Sequence, residues 1–380
     1  VDVSAALESI AAEVDELLPA GALVVDAHTH LGRDEDGQTL DPGELLAFLD
    51  EVDPTARACT FPLHDPERAP AYRVPNDRVL RWAAESGGRL YPYCRLDPAD
   101  DPVGEAERCL GLGARGIKLH PRAQAFGFDD AAAESIWEVA EQAGIPILIH
   151  AGRGMPRMDP LADLALRHPD VVIVLAHAAI ADQGMFASIL RDHPSVVYDT
   201  SAFSVFDQLE LLARVPIERI VFASDAPYGR PLGALHTQLR LASYAGLSER
   251  DRMLLVGATM TDILEGRPLA PPTPPRVPEV RAVSGRLARV NAYLLMSFAA
   301  AMSSGPPPEL ARALPFVALA RAACRDPDPG AVGPAMERID GLLAAAEQLL
   351  ADREGSPRAA VGLLMAAGAI AATEPQPPPG

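Results

Sequence analysis

Cationic charge is in short supply in this 380-residue chain: 33 Lys and Arg stand against 52 Asp and Glu, a formal net charge of −19. A field of that sign repels phosphate backbones and anionic lipid, so neither nucleic acid nor a membrane is expected as a partner. Cysteine is scarce as well. Cys59, Cys94, Cys109 and Cys324 show no Cys-x-x-Cys spacing, and a chain this long needs no disulfide staples, so reduced, buried thiols are expected. Spanning a bilayer takes about 20 apolar residues; the longest apolar run near the end, residues 359–373, is shorter and rich in Ala and Gly. The N-terminal stretch VDVSAALESIAAEVDELLPAG is acidic and lacks the basic start and apolar core of a signal peptide. A cytoplasmic location is the expectation. A Gly-rich phosphate loop after an early strand is also missing, since Gly111-Leu112-Gly113 precedes a strand.

What remains is an ordinary globular composition, 48% hydrophobic and 22% charged, long enough for one large domain and a smaller one. Short β-branched runs alternate with amphipathic helical patterns through the first two-thirds. Strands are predicted at 23–27, 56–63, 90–96, 114–119, 146–149, 171–176, 195–200 and 219–223. Helices are predicted between them, with Asp41-Pro42, Asp101-Pro102 and Asp159-Pro160 as N-cap and first-turn pairs and Gly113 and Gly144 as stops. Eight such repeats predict a (β/α)8 TIM-like barrel at 1–268. The Pro-rich stretch 269–282 reads as a linker. Four helices with apolar spacing of three and four follow, at about 283–302, 309–325, 333–353 and 358–373. They predict an appended all-α helical domain, a bundle over 283–374, suited to a homo-oligomer or partner contact. A disordered tail is expected at 375–380.

Six of the nine histidines fall at predicted strand ends: His28, His30, His64, His120, His150 and His177. In a barrel those ends converge on one mouth, where catalysis is expected. His168, His193 and His236 read as structural. His28 and His30, two apart on one strand, point inward together and can chelate a divalent ion. His150 and Asp225 end buried strands, where an ionisable side chain is costly unless paired or metal-bound. Three neutral imidazoles and a carboxylate suit one Zn²⁺ with room for water. His177 is a ligand, an orienter or a donor to the substrate, the last two being favoured. Lys118 and His120 share an inward face; Lys118 carries a carbamate bridging a second metal, binds a substrate carboxylate or pairs with an acid. His64, Arg95, Arg153 and Tyr228 are further candidates for contact with substrate, with surface ion pairing the alternative for the arginines.

The segments VVDAHTHLG (24–32), GARGIKLHP (113–121), ILIHAG (147–152), VLAHAA (174–179) and FASDAP (222–227) occur in order, one per expected strand. This pattern resembles the amidohydrolase superfamily, specifically the amidohydrolase-related branch that includes aminocarboxymuconate-semialdehyde-type decarboxylases. The resemblance implies a distorted barrel, metal ligation by His28, His30, His150 and Asp225, His177 near the substrate, and Asp225 as acceptor of the water proton. Two positions depart from it: Ala178-Ala179 follow His177 where the decarboxylases carry glycines, and Gly257-Ala258-Thr259 replaces a turn that often holds Asn. The leading expectation is hydrolysis of a small amide, lactone or ester by an activated water. Non-oxidative decarboxylation of an unsaturated or aromatic acid is second. A catalytically idle barrel with a partner-binding bundle is the alternative of another class.

Overall fold

The computed structural model describes residues 2–380 apart from 36, 153–154, 156, 202–203, 277–283, 302–311, 326–329, 352–356 and 375–380. Arg153, part of the expected linker and the expected tail therefore lie outside the described residues. All eight predicted barrel strands form: β1 (Val25–Arg33), β2 (Arg57–Pro62), β3 (Leu90–Pro92, resumed at Cys94–Arg95), β4 (Ile117–Leu119), β5 (Ile147–Ile149), β6 (Ile173–Leu175), β7 (Val196–Asp199) and β8 (Ile220–Val221). Each pairs in parallel with its sequence neighbour. β3 is the hinge of the sheet. Its first half pairs with β2 and its second with β4, and Tyr93 N bridges the break by donating to Thr60 O at 2.8 Å.

β8 closes on β1. Ala27 N donates to Phe222 O (2.9 Å), Asp225 N to His28 O (2.9 Å) and His30 N to Ala226 O (2.7 Å). Asp26 reinforces this seam, its Oδ1 accepting from His28 N at 3.1 Å and Ser224 N at 3.0 Å. Inward apolar residues, among them Val25, Ala27, Phe61, Leu148, Val174, Val197 and Val221, fill the barrel. The helix Thr259–Leu264 seals its floor through Met260 and Ile263. Just before it, an ideal Cβ on Gly257 would lie 2.0 Å from Leu23 O, so the backbone approach there admits only glycine.

The helix signals mostly hold. Asp41 caps Pro42–Asp50, Asp101 caps Pro102–Gly111, and Gly144 ends Ala131–Ala143 with φ 63°. Asp159 differs: Met158 is the N-cap of Asp159–Arg167, and the Asp159 carboxylate instead takes Arg157 Nε at 3.0 Å. The three histidines read as structural all have structural partners. His168 bridges Glu134 and Glu141, His193 Nε2 reaches Ala165 O, and His236 pairs with Glu13.

The C-terminal helices Gly285–Ala301, Leu314–Cys324, Gly333–Ala351 and Pro357–Thr373 lie close to the predicted positions. They share one continuous apolar core with the helix Val3–Leu17 and the barrel helix Pro231–Tyr244. Leu363, Leu364 and Ile370 are each at most 2% exposed; burial of such a side chain contributes about 1.5–3 kcal/mol. Glu13 adds a polar joint, receiving His236 Nε2 (2.8 Å) and Arg240 Nη1 (2.5 Å) from one helix and Arg338 Nη2 (2.5 Å) from another. No helix of the described residues is long and apolar enough to cross a membrane.

Glycine meets glycine in this joint. An ideal Cβ on Gly233 would sit 2.3 Å from Gly362 Cα, whereas one on Gly362 would sit 3.4 Å from Gly233 Cα. Gly233→Ala should therefore force the helices apart and destabilise by about 1–3 kcal/mol. Gly362→Ala should be close to neutral, steric crowding being offset by about 1 kcal/mol of helix propensity. Thermal unfolding of the two variants checks this asymmetry, and equal midpoints would contradict it.

Candidate metal centre and barrel mouth

The seam between β1 and β8 brings the first and last motifs together. His28 Nε2 and His30 Nε2 are 3.2 Å apart, and each lies 3.2 Å from Asp225 Oδ1. Both imidazoles reach the same point although β1 shifts register between Asp26 and Thr29. Asp225 follows β8 with φ 60°, a left-handed conformation rare for a residue with a side chain. Donor atoms of a tetrahedral ion with bonds of about 2.0–2.1 Å stand about 3.3 Å apart, so the triangle has the right size.

The hydrogen bonds around it fix which nitrogens carry protons. His28 Nδ1 faces Asp199 Oδ2 at 2.8 Å and donates to it, so Nε2 presents a lone pair. Asp199 Oδ1 also accepts from His177 N (2.8 Å), Ser201 N (2.9 Å) and Ser201 Oγ (2.6 Å). With its hydroxyl proton on Asp199, Ser201 Oγ accepts from His177 Nδ1 at 3.0 Å. That tautomer leaves His177 Nε2 as an acceptor, facing His150 Nδ1 at 3.0 Å. A neutral His177 is thus arranged to accept at Nε2, and the role of substrate donor would require its imidazolium.

Burial keeps these rings neutral. It pushes His28 down to about 3, with Lys118 adding to the shift, and holds His30, His120 and His150 well below the usual imidazole range. Burial also raises Asp26 to about 7 and lifts Asp225 well above the carboxylate range. Asp199 is the exception: burial alone would raise it, but His28, His177 and Ser201 together hold it below the ordinary value. The His28 lone pair and the Asp225 oxygen face one another at 3.2 Å, and His30 Nδ1 is buried without a partner among the described residues. Two imidazole nitrogens and a carboxylate oxygen converging at this spacing are a donor set of the kind and size that a divalent metal takes, so the residues fit one. Among the described residues, His28, His177 and Asp225 offer donor atoms within 4.8 Å of one another; the His28, His30 and Asp225 contacts are tighter.

The remaining candidates ring this centre. Lys118 Nζ lies 3.3 Å from His28 Nε2 and 4.5 Å from the Phe61 ring centre; burial and Arg95 lower it to about 7. His120 stacks on His150 at 3.8 Å, and its Nδ1 accepts from Ala123 N, capping the short turn Pro121–Gln124. Tyr228 stands edge-on to His30 at 5.8 Å, its hydroxyl donating to Asp34 Oδ2. His64 and Arg95 meet at 3.4 Å. Asp199, Ser201, Asp34 and Tyr72 are site residues that motif reading missed. Asp199 alone carried a signal, as an ionisable residue ending a buried strand.

Residues 25–257 match the model of the amidohydrolase family, and the chain belongs to that family. No curated protein matches the sequence. Similar solved structures include a 5-carboxyvanillate decarboxylase from Sphingomonas paucimobilis, at 15% identity and a TM-score of 0.50, covering 64% of this chain and 99% of that one. The apo IDCase of Metarhizium anisopliae gives 15% and 0.51, covering 65% and 98%. At such identity the likeness is one of fold, and it agrees with the closed eight-stranded barrel.

Asp199→Asn would keep the shape of the Asp199 side chain while changing what it can accept from His28. Divalent-ion affinity should fall about 10–100-fold with the unfolding midpoint of the metal-free protein little changed. Titration of the metal-free protein with Zn²⁺ measures this, and an unaltered affinity would remove Asp199 from the site.

Proposed function

We propose that this member of the amidohydrolase family is a metal-dependent hydrolase acting on a small amide, lactone or ester, with His28, His30, His150 and Asp225 holding one Zn²⁺. The observation that carries the reading is the 3.2 Å triangle of His28 Nε2, His30 Nε2 and Asp225 Oδ1. His150 and His177, 3.0 Å apart, stand together as the next pair of imidazoles in the mouth. A bound Zn²⁺ supplies Lewis acidity toward a carbonyl and lowers the pKa of a water to about 7.

Asp225 takes the proton of the attacking water and returns it to the leaving group. Its position favours this role, because its Oδ1 lies 3.2 Å from both β1 imidazoles that would share the metal. His177 accepts at Nε2 from His150 Nδ1, which turns the lone pair of the His150 ring to its Nε2, and its own ring is held by Ser201. Asp26 and the seam hydrogen bonds keep Asp225 against the two β1 histidines. A location in the cytoplasm and a second metal at Lys118 and His120 are not needed for this chemistry.

Non-oxidative decarboxylation of an unsaturated or aromatic acid is the second reading. The buried cations Arg95 and Lys118 in the mouth favour it, since either can face a carboxylate. An idle barrel is the least supported, because it leaves the donor triangle without a purpose.

The native protein should contain about one divalent ion per chain, with Asp225→Ala losing it and losing at least about 10²-fold in kcat/KM. Metal analysis of both proteins decides the first point; full retention by the variant would take Asp225 out of the ligand set. Product analysis decides the reaction: CO2 release without uptake of water would replace hydrolysis by decarboxylation.

A further inference from the structure

The joint between barrel and helical domain holds a cavity that neither the fold nor the metal centre uses. Its volume is about 230 Å³, and it is lined by Phe206, Ala288, Asn291, Ala292 and Leu295. Phe206 stands in the first turn of the barrel helix Val205–Arg214, and the other residues belong to the bundle helix Gly285–Ala301. Positions 288, 291, 292 and 295 form one stripe of an α-helix. The adjoining stripe, Leu287, Val290 and Leu294, is buried in the shared apolar core. The bundle helix is thus held by one face and offers the next to the barrel.

The composition of that stripe leaves the contact incomplete. Ala288 and Ala292 carry a single methyl group each, so space remains where longer side chains would meet the barrel helix. The gap is local, because the helices close up beside it. Around Gly368 of the helix Pro357–Thr373, an ideal Cβ would lie 3.5 Å from Val205 Cγ2 and 3.8 Å from Leu294 Cδ1, both ordinary contacts. At the rim, Phe206 and Leu295 stay 46% and 39% exposed.

Asn291 separates this cavity from an ordinary surface dimple. It is 5% exposed, it lines the space, and its side-chain amide has no hydrogen-bond partner among the described residues. The polar groups around it are satisfied. Ser297 Oγ donates to Leu294 O at 2.7 Å, Ser204 Oγ accepts from Asp207 N at 3.3 Å, and Gln208 pairs with Gln238. A buried amide left unpaired is costly, and this one faces room for a ligand.

The lining fixes the chemistry of that ligand. It contains no charged side chain, so an ion would lose its hydration without gaining a counter-charge. An apolar cavity of about 150 Å³ already accepts benzene, so this one holds a single ring with a small substituent. The Asn291 amide can both donate and accept, and it calls for one hydroxyl or amide group.

We propose that this cavity is a binding site for a small neutral molecule, one ring bearing a single hydroxyl or amide group, seated on Asn291 and covering Phe206 and Leu295. It is separate from the barrel mouth and does not depend on the hydrolase reading. Its ligand touches a barrel helix and a bundle helix at once, so binding ties the two together and stabilises the folded chain.

The full chain is titrated with 4-fluorophenol, fluorobenzene and 4-fluorobenzoate by fluorine NMR, with thermal midpoints read beside. 4-Fluorophenol should bind and raise the midpoint. Fluorobenzene should bind at least about tenfold more weakly, because it leaves Asn291 unpaired. Asn291→Leu should remove that preference. Ala292 is exposed, so Ala292→Phe can put a ring into the cavity without crowding the core; it should abolish 4-fluorophenol binding and leave any binding of 4-fluorobenzoate elsewhere unchanged. Undiminished 4-fluorophenol binding by Ala292→Phe, or a wild type that does not prefer 4-fluorophenol to fluorobenzene, overturns the proposal. Sedimentation covers the remaining occupant: a wild type that binds no phenol and dimerises, with Phe206→Ser monomeric, gives this face to a second copy of the chain and overturns the proposal as well.

Discussion

The candidate centre depends on how the barrel closes. β1 and β8 lie at opposite ends of the barrel sequence, and three backbone hydrogen bonds join them: Ala27 to Phe222, Asp225 to His28, and His30 to Ala226. Those bonds alternate with the side chains that matter. His28, His30 and Asp225 are each one partner in the seam, so the 3.2 Å triangle is set by main-chain geometry before any ion enters. Asp26 stabilises the same seam from inside, taking amide protons from both strands. A site built on the closing strands of a barrel is held by the cooperativity of the whole sheet, since separating its ligands means opening the barrel.

Around that triangle the protein controls proton positions more than charge. Burial would neutralise almost every ionisable group in the mouth, and it does so for His28, His30, His120 and His150. Asp199 stays ionised because four hydrogen bonds converge on it, and one carboxylate thereby sets the tautomers of two rings, His28 directly and His177 through Ser201. Neutral imidazoles with their lone pairs turned inward are what a divalent cation requires. The same neutrality explains the isolation of Arg95. A guanidinium does not shed its proton as an imidazole does, so Arg95 remains charged among neutral imidazoles, with the charge of Asp34 supporting it.

The architecture was largely legible in the sequence, because each barrel strand is a short buried β-branched run and each helix carries its own start or stop. His28, His30, His150, His177 and Asp225 stand out as candidates for a related reason: an ionisable residue directly after such a run is conspicuous. What stayed hidden was pairing over distance. His28 and Asp199 are 171 residues apart, and although Asp199 ends a buried strand, nothing local to it points to His28 as its partner. Asn76 reads as an ordinary helix residue until the fold lays it along β3, where it satisfies the backbone of Arg95. Tyr72 was hidden because its role depends on positive φ values that its neighbours Ala71 and Arg73 give no reason to expect. Asp159 shows the converse, a correct helix start whose capping residue changed because Arg157 competes for its carboxylate.

The C-terminal helices bear on the site through the same logic of closure. Pro357–Thr373 packs its glycine against Gly233, one turn into the helix Pro231–Tyr244, which begins soon after Asp225 and Tyr228. Arg230, at the start of that helix, is fixed to Glu51 through its Nε at 2.8 Å and stacks over Phe48. The chain segment carrying Asp225 is therefore anchored on both sides, by the β1 seam before it and by a buried helix after it. A helix covering the outside of the barrel bears on the candidate centre in this indirect sense. It removes the freedom of the last barrel turn, and with it the freedom of the carboxylate on which the donor triangle depends.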